Sequence, residues 1–361
     1  AGTAAETTEP NDIYEALSVG GSLKLLNDVD YGGSMSVGAN LTIDLNGYVL
    51  DLGGNKIYVN DANLASKLTI IDSRPDVEHK FTPSAAGLWA RDEANGTKTV
   101  KGGVITGGHS DASDYCGGID IGRNGTVIME AGHIVGGYAD SYGGGVHLAS
   151  GGIFTMNGGS VDMAAAEGST RAMESGIAAD TITLNGGSIH AVLAPSVHYH
   201  GYYTLYNDAL YAFNGIFIRG GSVVTETVEN TDPLINTVPH RALYSSYGDI
   251  VISGGSVQAE GGELYAESGS IHISGGEVKA DALCSKEGLT ISGGEVTTKD
   301  FDVPNPIVLS GSVHIIKEDF WGNRTIVTRV GAHELFSVSY ALTQTAAGLS
   351  AVAAEDSNGI L

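Results

Sequence analysis

Positive charge is scarce in this chain. Lys and Arg number 18 against 42 Asp and Glu, a formal net charge of −24. Phosphate recognition needs clustered cations, so neither nucleic acid nor an anionic membrane surface is an expected partner. A surface this acidic suits solubility in a saline exterior, or the binding of cations. Long apolar runs are missing too: none approaches the roughly twenty residues of a membrane span. Period-3.6 patterning is absent, and 53 glycines would each cost about 1 kcal/mol inside helices, which argues against a helical repeat. The chain opens Ala1-Gly2-Thr3-Ala4-Ala5 with neither a methionine nor a secretion signal, the look of a processed mature form.

What the chain has instead is one phrase, repeated. It reads apolar–x–apolar–x–Gly–Gly–x–apolar, with full double glycines at Gly158-Gly159, Gly186-Gly187, Gly220-Gly221, Gly254-Gly255, Gly275-Gly276 and Gly293-Gly294. Weaker copies end at Gly102-Gly103, Ala131-Gly132 and Ser310-Gly311. Alternation with period two puts Ile250 and Ile252 on one face of a strand and Val251 and Ser253 on the other. The glycines then turn the chain where a side chain would clash or a positive φ is needed, and Val257 starts a second strand. A third recurs upstream of the phrase, as in Val146-His147-Leu148-Ala149, Ala242-Leu243-Tyr244-Ser245 and Glu263-Leu264-Tyr265-Ala266. None can bury its apolar face alone. Stacked in register they enclose a continuous core, which predicts an all-β fold, a right-handed parallel β-helix.

Spacing sharpens the reading. The phrase recurs at steps of 27 to 34 residues up to Gly254, then at 21, 18 and 17. The short steps match bare coils, and the longer ones must carry loops. With coils about 4.8 Å apart, eleven or so make a rod on the order of 50 Å. Cys116 and Cys284 fall six turns apart, roughly 29 Å, far beyond disulfide reach. Cys284 then reads as a small buried hydrophobe.

Three parts are expected: an N-terminal cap over residues 1–22, with a short helix near Tyr14 and Leu17; a β-helix over 23–313; and a C-terminal β cap over 314–361, where strands lose the glycine phrase. The N-terminal segment would cover the open end of the solenoid; the last strands read as a β cap or a small appended β module, and either blunts the exposed sheet edge. The segments Leu23-Lys24-Leu25-Leu26-Asn27-Asp28-Val29, Leu41-Thr42-Ile43-Asp44-Leu45-Asn46-Gly47-Tyr48-Val49-Leu50, Leu68-Thr69-Ile70-Ile71-Asp72-Ser73 and Phe154-Thr155-Met156-Asn157-Gly158-Gly159-Ser160-Val161 resemble secreted β-helix proteins of Gram-positive, often gut, bacteria. Those are similar to the pectate-lyase-like superfamily and its adhesin-type relatives. The resemblance covers about Leu23 to Val313 and implies an extracellular or cell-surface address. That superfamily hosts lyases, glycosidases, fructotransferases and non-catalytic glycan binders, so it implies no single activity. Sortase-anchor and choline-binding motifs are absent.

Chemistry is expected in the loops, at 109–117, 137–145, 164–176, 190–214 and 225–241. Each follows the aliphatic after a double glycine, so all leave one corner of successive coils and build one face. The fourth loop carries His190, His198, Tyr199, His200, Tyr202, Tyr203, Tyr206, Asp208 and Tyr211. Its neighbours add His240, Arg241, Tyr244 and Tyr247 on one side, and Arg171 and Glu174 on the other. Tyrosine, a flat plate with a polar tip, suits stacking on sugar rings. The expected function is therefore glycan binding, as an adhesin or surface carbohydrate-binding module for a poly- or oligosaccharide. An enzyme would use the same groove, either as a glycosidase with two carboxylates about 5 to 9 Å apart, from Asp208, Glu174, Glu226 and Glu229, or as a lyase using Tyr199, His200 and Arg241. A third reading is a structural subunit whose terminal strands pair into a homo-oligomer or fibre. Asp111, Asp114 and Asp120 resemble an acidic calcium cluster; His198 and His200 share a strand face but lack a third metal ligand.

Overall fold

The computed structural model describes residues 20–304 apart from 34, 38–39, 60–65, 84–88, 111–117, 140–144, 149, 164–174, 194–195, 200–202, 206, 228–235 and 239. It also describes 4–7, 13 and, past 304, residues 307–310, 313–318, 324–329, 334–336, 343–345 and 348–350. The protein is a parallel β-helix: sixteen parallel strands curl about 314° round a common axis. Each coil contributes a strand to three sheets. The first holds Leu41–Asp44, Lys67–Ile71, Thr126–Met129 and Ile153–Met156, then residues 181–184, 216–218, 250–252, 271–273 and 289–291. The second runs from Val104–Thr106 through His133–Ala139, Ser160–Met163, Ser188–Leu193 and Ser222–Thr227. The third runs from Met35–Val37 and Ile57–Val59 through Ile119–Ile121 and Val146–Leu148 to residues 210–212, 243–245 and 264–266.

The inward positions are those the alternation selects. Ile250, Ile252, Val257, Leu264 and Ala266 of one coil are fully buried, and their partners Ile271, Val278 and Leu283 repeat the arrangement one rung on. Each such aliphatic contributes about 1.5–3 kcal/mol by leaving water, and together they form one core along the rod. The two glycines of a turn have separate jobs. At Gly254 φ is ordinary, but a Cβ would lie 2.5 Å from the carbonyl oxygen of Arg219 in the coil beneath. At Gly255 φ is +75°, and a Cβ would also meet the Gly221 carbonyl oxygen at 2.6 Å. The first glycine permits close stacking; the second also permits the left-handed turn.

The second and third strands of a coil are joined where the chain is longest. The second strands persist further than the loop boundaries at 190 and 225 suggest: Ile189, Ala191 and Leu193, and then Val223 and Thr225, keep pointing into the core. Strands Ser196–Tyr199, Tyr203–Leu205 and Asn236–Val238, from two successive connections, join in a small antiparallel sheet.

A second antiparallel sheet, Glu78–Pro83, Trp89–Arg91 and Lys98–Lys101, was not anticipated. It lies over the second sheet and encloses its own core of Val49, Phe81, Val100, Val104 and Val135, with Trp89 at the margin. His79 Nε2, 2.8 Å from the Gly47 carbonyl oxygen, and the Arg91–Asp28 ion pair fasten it to the coils. At the N-terminal end, strand Ala4–Thr7 adds a parallel rung beside Gly21–Leu25 and Ile13 is fully buried; the expected helix around Tyr14 and Leu17 lies outside the described residues. At the other end parallel pairing gives way: Arg324–Arg329 runs antiparallel to Val313–Glu318, and Glu334–Phe336 to Ile307–Leu309.

Candidate functional site

The outer face of the third sheet gathers most of the described candidates. In register along the rod stand Tyr58, Asp120, His147, Ala178, Tyr211, Tyr244, Tyr265, Cys284 and Asp302. Beside them, Asp208, Arg241 and Glu263 form a parallel row. Arg241 grips Asp208 with a forked pair of bonds, Nε to Oδ1 at 2.6 Å and Nη2 to Oδ2 at 3.0 Å. Both side chains are buried, and the guanidinium carbon sits 3.7 Å from the Tyr244 ring centre. Burial pushes the Asp208 carboxyl up against the pull of Arg241, while Arg241, which burial opposes, is held above its ordinary range by Asp208. Burial also raises Glu263, with the charges of Asp208 and Asp302 adding to it against a Cys284 thiol bond (3.6 Å) and Arg241. Burial and the neighbouring Glu263 and Asp302 push the Cys284 thiol up, so it is no ready nucleophile.

Among the described residues, the tyrosines of this row do not form the open platform that sugar stacking needs. Tyr211, Tyr244 and Tyr265 stack on one another along the rod, at centroid distances of 5.3 and 5.8 Å. Arg241 sits over the Tyr244 ring, and only 7% of that residue is exposed. Their faces are thus turned to neighbouring rungs. His240 is also turned away from solvent. It is 2% exposed, with Nε2 2.8 Å from Thr225 Oγ1 and Nδ1 2.8 Å from Thr227 Oγ1. It ties two strands together and offers no ligand contact.

His240 makes a test of its own. Burial pushes its imidazole down to about 4, the charge of Asp281 offsetting only part of that. The unfolded chain takes up this proton near pH 6.5, whereas the folded protein refuses it until about pH 4. The stability is therefore whole above about 6.5, declines as pH falls toward 4, and is flat below, a loss of about 3 kcal/mol. Urea unfolding across pH 4–7 should show a shallower slope for His240→Gln than for the parent; equal slopes would remove His240 as the cause.

Open aromatic surface lies at the next corner, where the third strand turns into the following first strand. Phe213 is 44% exposed and Tyr247 60% exposed, with ring centroids 4.6 Å apart. Polar groups rim the pair: Asn214 donates to Asp180, His272 Nε2 lies 3.8 Å from Asp249 Oδ2, and Asp249 Oδ1 accepts the Ser270 N–H at 2.8 Å. Phe213 carries no motif in sequence. It is found only because its rung neighbour is Tyr247.

Of the remaining candidates, His198 and Tyr199 lie in Ser196–Tyr199, and Tyr203 in Tyr203–Leu205, with Tyr199 and Tyr203 at paired positions. His200, Tyr202, Tyr206, Arg171, Glu174, Asp111 and Asp114 lie outside the described residues. Asp120 is engaged by side chains of the protein: Lys56 Nζ and His147 Nδ1 each stand 3.0 Å from its carboxylate oxygens. Burial opposes ionisation there, but His147 and Lys56 outweigh it and hold the carboxyl below its usual range. Among the described residues no cluster of three or more His, Cys, Asp or Glu is placed to hold a metal.

Two of the sequence candidates, His190 and Glu226, meet on the second sheet together with Asp162, which the sequence did not single out. His190 bridges Asp162 (Nδ1 to Oδ1, 3.5 Å) and Glu226 (Nε2 to Oε1, 3.4 Å). The hydrogen bond to Asp162 raises the imidazole, with burial opposing and the charges of both carboxylates adding to the rise. Among the described residues no helix is long and apolar enough to cross a membrane. Compared with protein families, with characterised proteins and with solved structures, the chain matches none.

Proposed function

We propose that this protein is an extracellular glycan-binding β-helix whose stacking platform is the Phe213–Tyr247 corner. The observation that carries this reading is the exposed aromatic pair rimmed by Asp180, Asn214, Asp249 and His272. A sugar ring presents an apolar face of C–H groups and a rim of hydroxyls. Two exposed rings answer the first, and carboxylates with an amide answer the second. The extracellular placement draws on the acidic surface and on the likeness to pectate-lyase-like and adhesin-type β-helices.

Isothermal titration against a panel of neutral, amino and uronic oligosaccharides should find at least one ligand. Tyr247→Ala and Phe213→Ala should each weaken that ligand about fivefold, given roughly 1 kcal/mol per stacked ring. A ligand bound as tightly by the double variant would place recognition elsewhere; a panel with no ligand would remove the glycan reading.

A further inference from the structure

The Phe213–Tyr247 corner has a sign as well as a shape. The two rings sit on successive rungs, with the Tyr247 N–H donating to the Phe213 carbonyl at 2.8 Å. Ala179 pairs with Ala212 and Thr181 with Gly215, so Asp180 lies one rung below Phe213, where its carboxylate accepts the Asn214 amide. Asp249 follows Tyr247 by two residues on the same rung, and its side chain is half-exposed. Glu267 occupies the rung above. Its N–H donates to the Ser245 carbonyl at 2.8 Å, and its carboxylate accepts the Tyr244 hydroxyl. Each carboxylate therefore lies on the rung of one ring or on the rung beside it, about 4.8 Å along the rod.

Little positive charge answers these three carboxylates. Among the described residues no lysine or arginine forms an ion pair with Asp180, Asp249 or Glu267; His272, 3.8 Å from Asp249, is an imidazole that is charged only when protonated. Lys286 belongs to the rung beyond Glu267 and is followed at once by Glu287. On other outer rows the rod does match acid with base: Lys56 with Asp120, Arg241 with Asp208, Lys279 with Glu260 and Lys299 with Asp281. An exposed aromatic face carries the negative side of the ring quadrupole, so it attracts an ammonium, and a nearby carboxylate adds to the pull. A uronate meets the opposite field, at distances inside the Debye length of about 8 Å. A neutral sugar gains the ring contacts alone. Charge therefore separates ligands that the shape of the corner would accept alike.

We infer that the Phe213–Tyr247 corner selects glycans whose amino groups are free and protonated, over N-acetylated, neutral and uronic ones. This rests on the glycan reading of the corner and adds the charge of the ligand to it. The sugar stacks its C–H face on Tyr247 or Phe213, and the ammonium at the ring edge turns to the carboxylates of Asp180, Asp249 and Glu267. N-acetylation removes that charge and puts a bulky amide in its place. Salt screens exposed charges, so it weakens the ammonium contact and leaves the stacking.

Isothermal titration of the intact chain should compare oligomers of equal length built from glucosamine, N-acetylglucosamine and galacturonate, at low salt and at a pH that keeps the amine charged. The glucosamine oligomer should bind roughly tenfold more tightly than its N-acetylated form, with galacturonate weakest. Added salt should narrow that ratio. Asp180→Asn together with Asp249→Asn should bring it toward one, whereas Glu260→Gln, a charge lost at another corner, should leave it in place. A ratio near one in the parent protein, or a preference that survives the double variant, overturns the charge inference. The aromatic platform then still stands if Tyr247→Ala weakens binding. If none of these oligomers binds, the inference falls, and the platform falls with it only when the wider sugar panel is blank as well.

Discussion

Arg241→Ala should destabilise the protein by about 3–5 kcal/mol, because it strands a buried carboxylate. Asp208 is 3% exposed and receives two bonds from the guanidinium. With Arg241 gone, nothing comparable compensates its charge, and the Tyr244 ring loses the group packed over it. Asp208 must then hold a proton to stay inside. The folded variant binds that proton more tightly than its unfolded chain does, so its deficit should shrink as pH falls. Adding Asp208→Asn should recover much of the loss, which a double-mutant cycle in urea would measure. A single variant costing under 1 kcal/mol would show that the pair sits in better-solvated surroundings than its burial indicates.

The glycine turn offers the second large effect, and one coil contains its own controls. Gly255 and Gly261 share a φ of +75°, but a Cβ at Gly261 meets nothing within 4 Å, whereas one at Gly255 meets the Gly221 carbonyl oxygen. Gly254 has the contact without the positive φ. Gly261→Ala should therefore cost about 1–2 kcal/mol from backbone strain alone. Gly254→Ala should cost about 1–3 kcal/mol from forced separation of coils. Gly255→Ala combines both and should cost roughly 2–5 kcal/mol. Thermal unfolding of the three variants would rank them. Equal losses at Gly255 and Gly261 would mean that stacking distance plays no part.

The β-helix was legible because its cause is local and repeated. Period-two alternation decides which residues face inward, and Ile250, Ile252 and Val257 lie where it puts them. The glycine pair marks each turn, so the strand order within a coil also follows from sequence. Which side chains become neighbours across rungs is a different matter. It depends on the length of each coil, and coils before Gly254 vary. Tyr211 and Tyr244 read as a wet aromatic surface, yet they pack against each other, and Tyr244 against Tyr265, along the axis. His240 read as a ligand in a loop, but the second strand before it continues to Thr227, and Thr225 and Thr227 take both ring nitrogens. The side sheet escaped notice because its last strand, Lys98–Lys101, runs straight into the Gly102-Gly103 copy and reads as an ordinary coil strand, whereas it pairs antiparallel with Glu78–Pro83. Several loop candidates, Tyr202 and Glu174 among them, lie outside the described residues.

Rung-to-rung pairing has a mechanical consequence. The backbone bonds of the coil body point along the rod, joining rungs about 4.8 Å apart. Tension on the two ends therefore pulls each rung directly away from the next, while tension across the rod is borne by covalent chain. A parted coil leaves its neighbours' contacts in place, so the body yields stepwise. Each bare coil of 18 residues, such as that from Ile271 to Leu289, would release roughly 60 Å of slack. The N-terminal coils resist longer, because the side sheet sews them together through Gly47, Asp28, His133 and Asp162. Under load this rod is a graded shock absorber, soft at one end and stitched at the other.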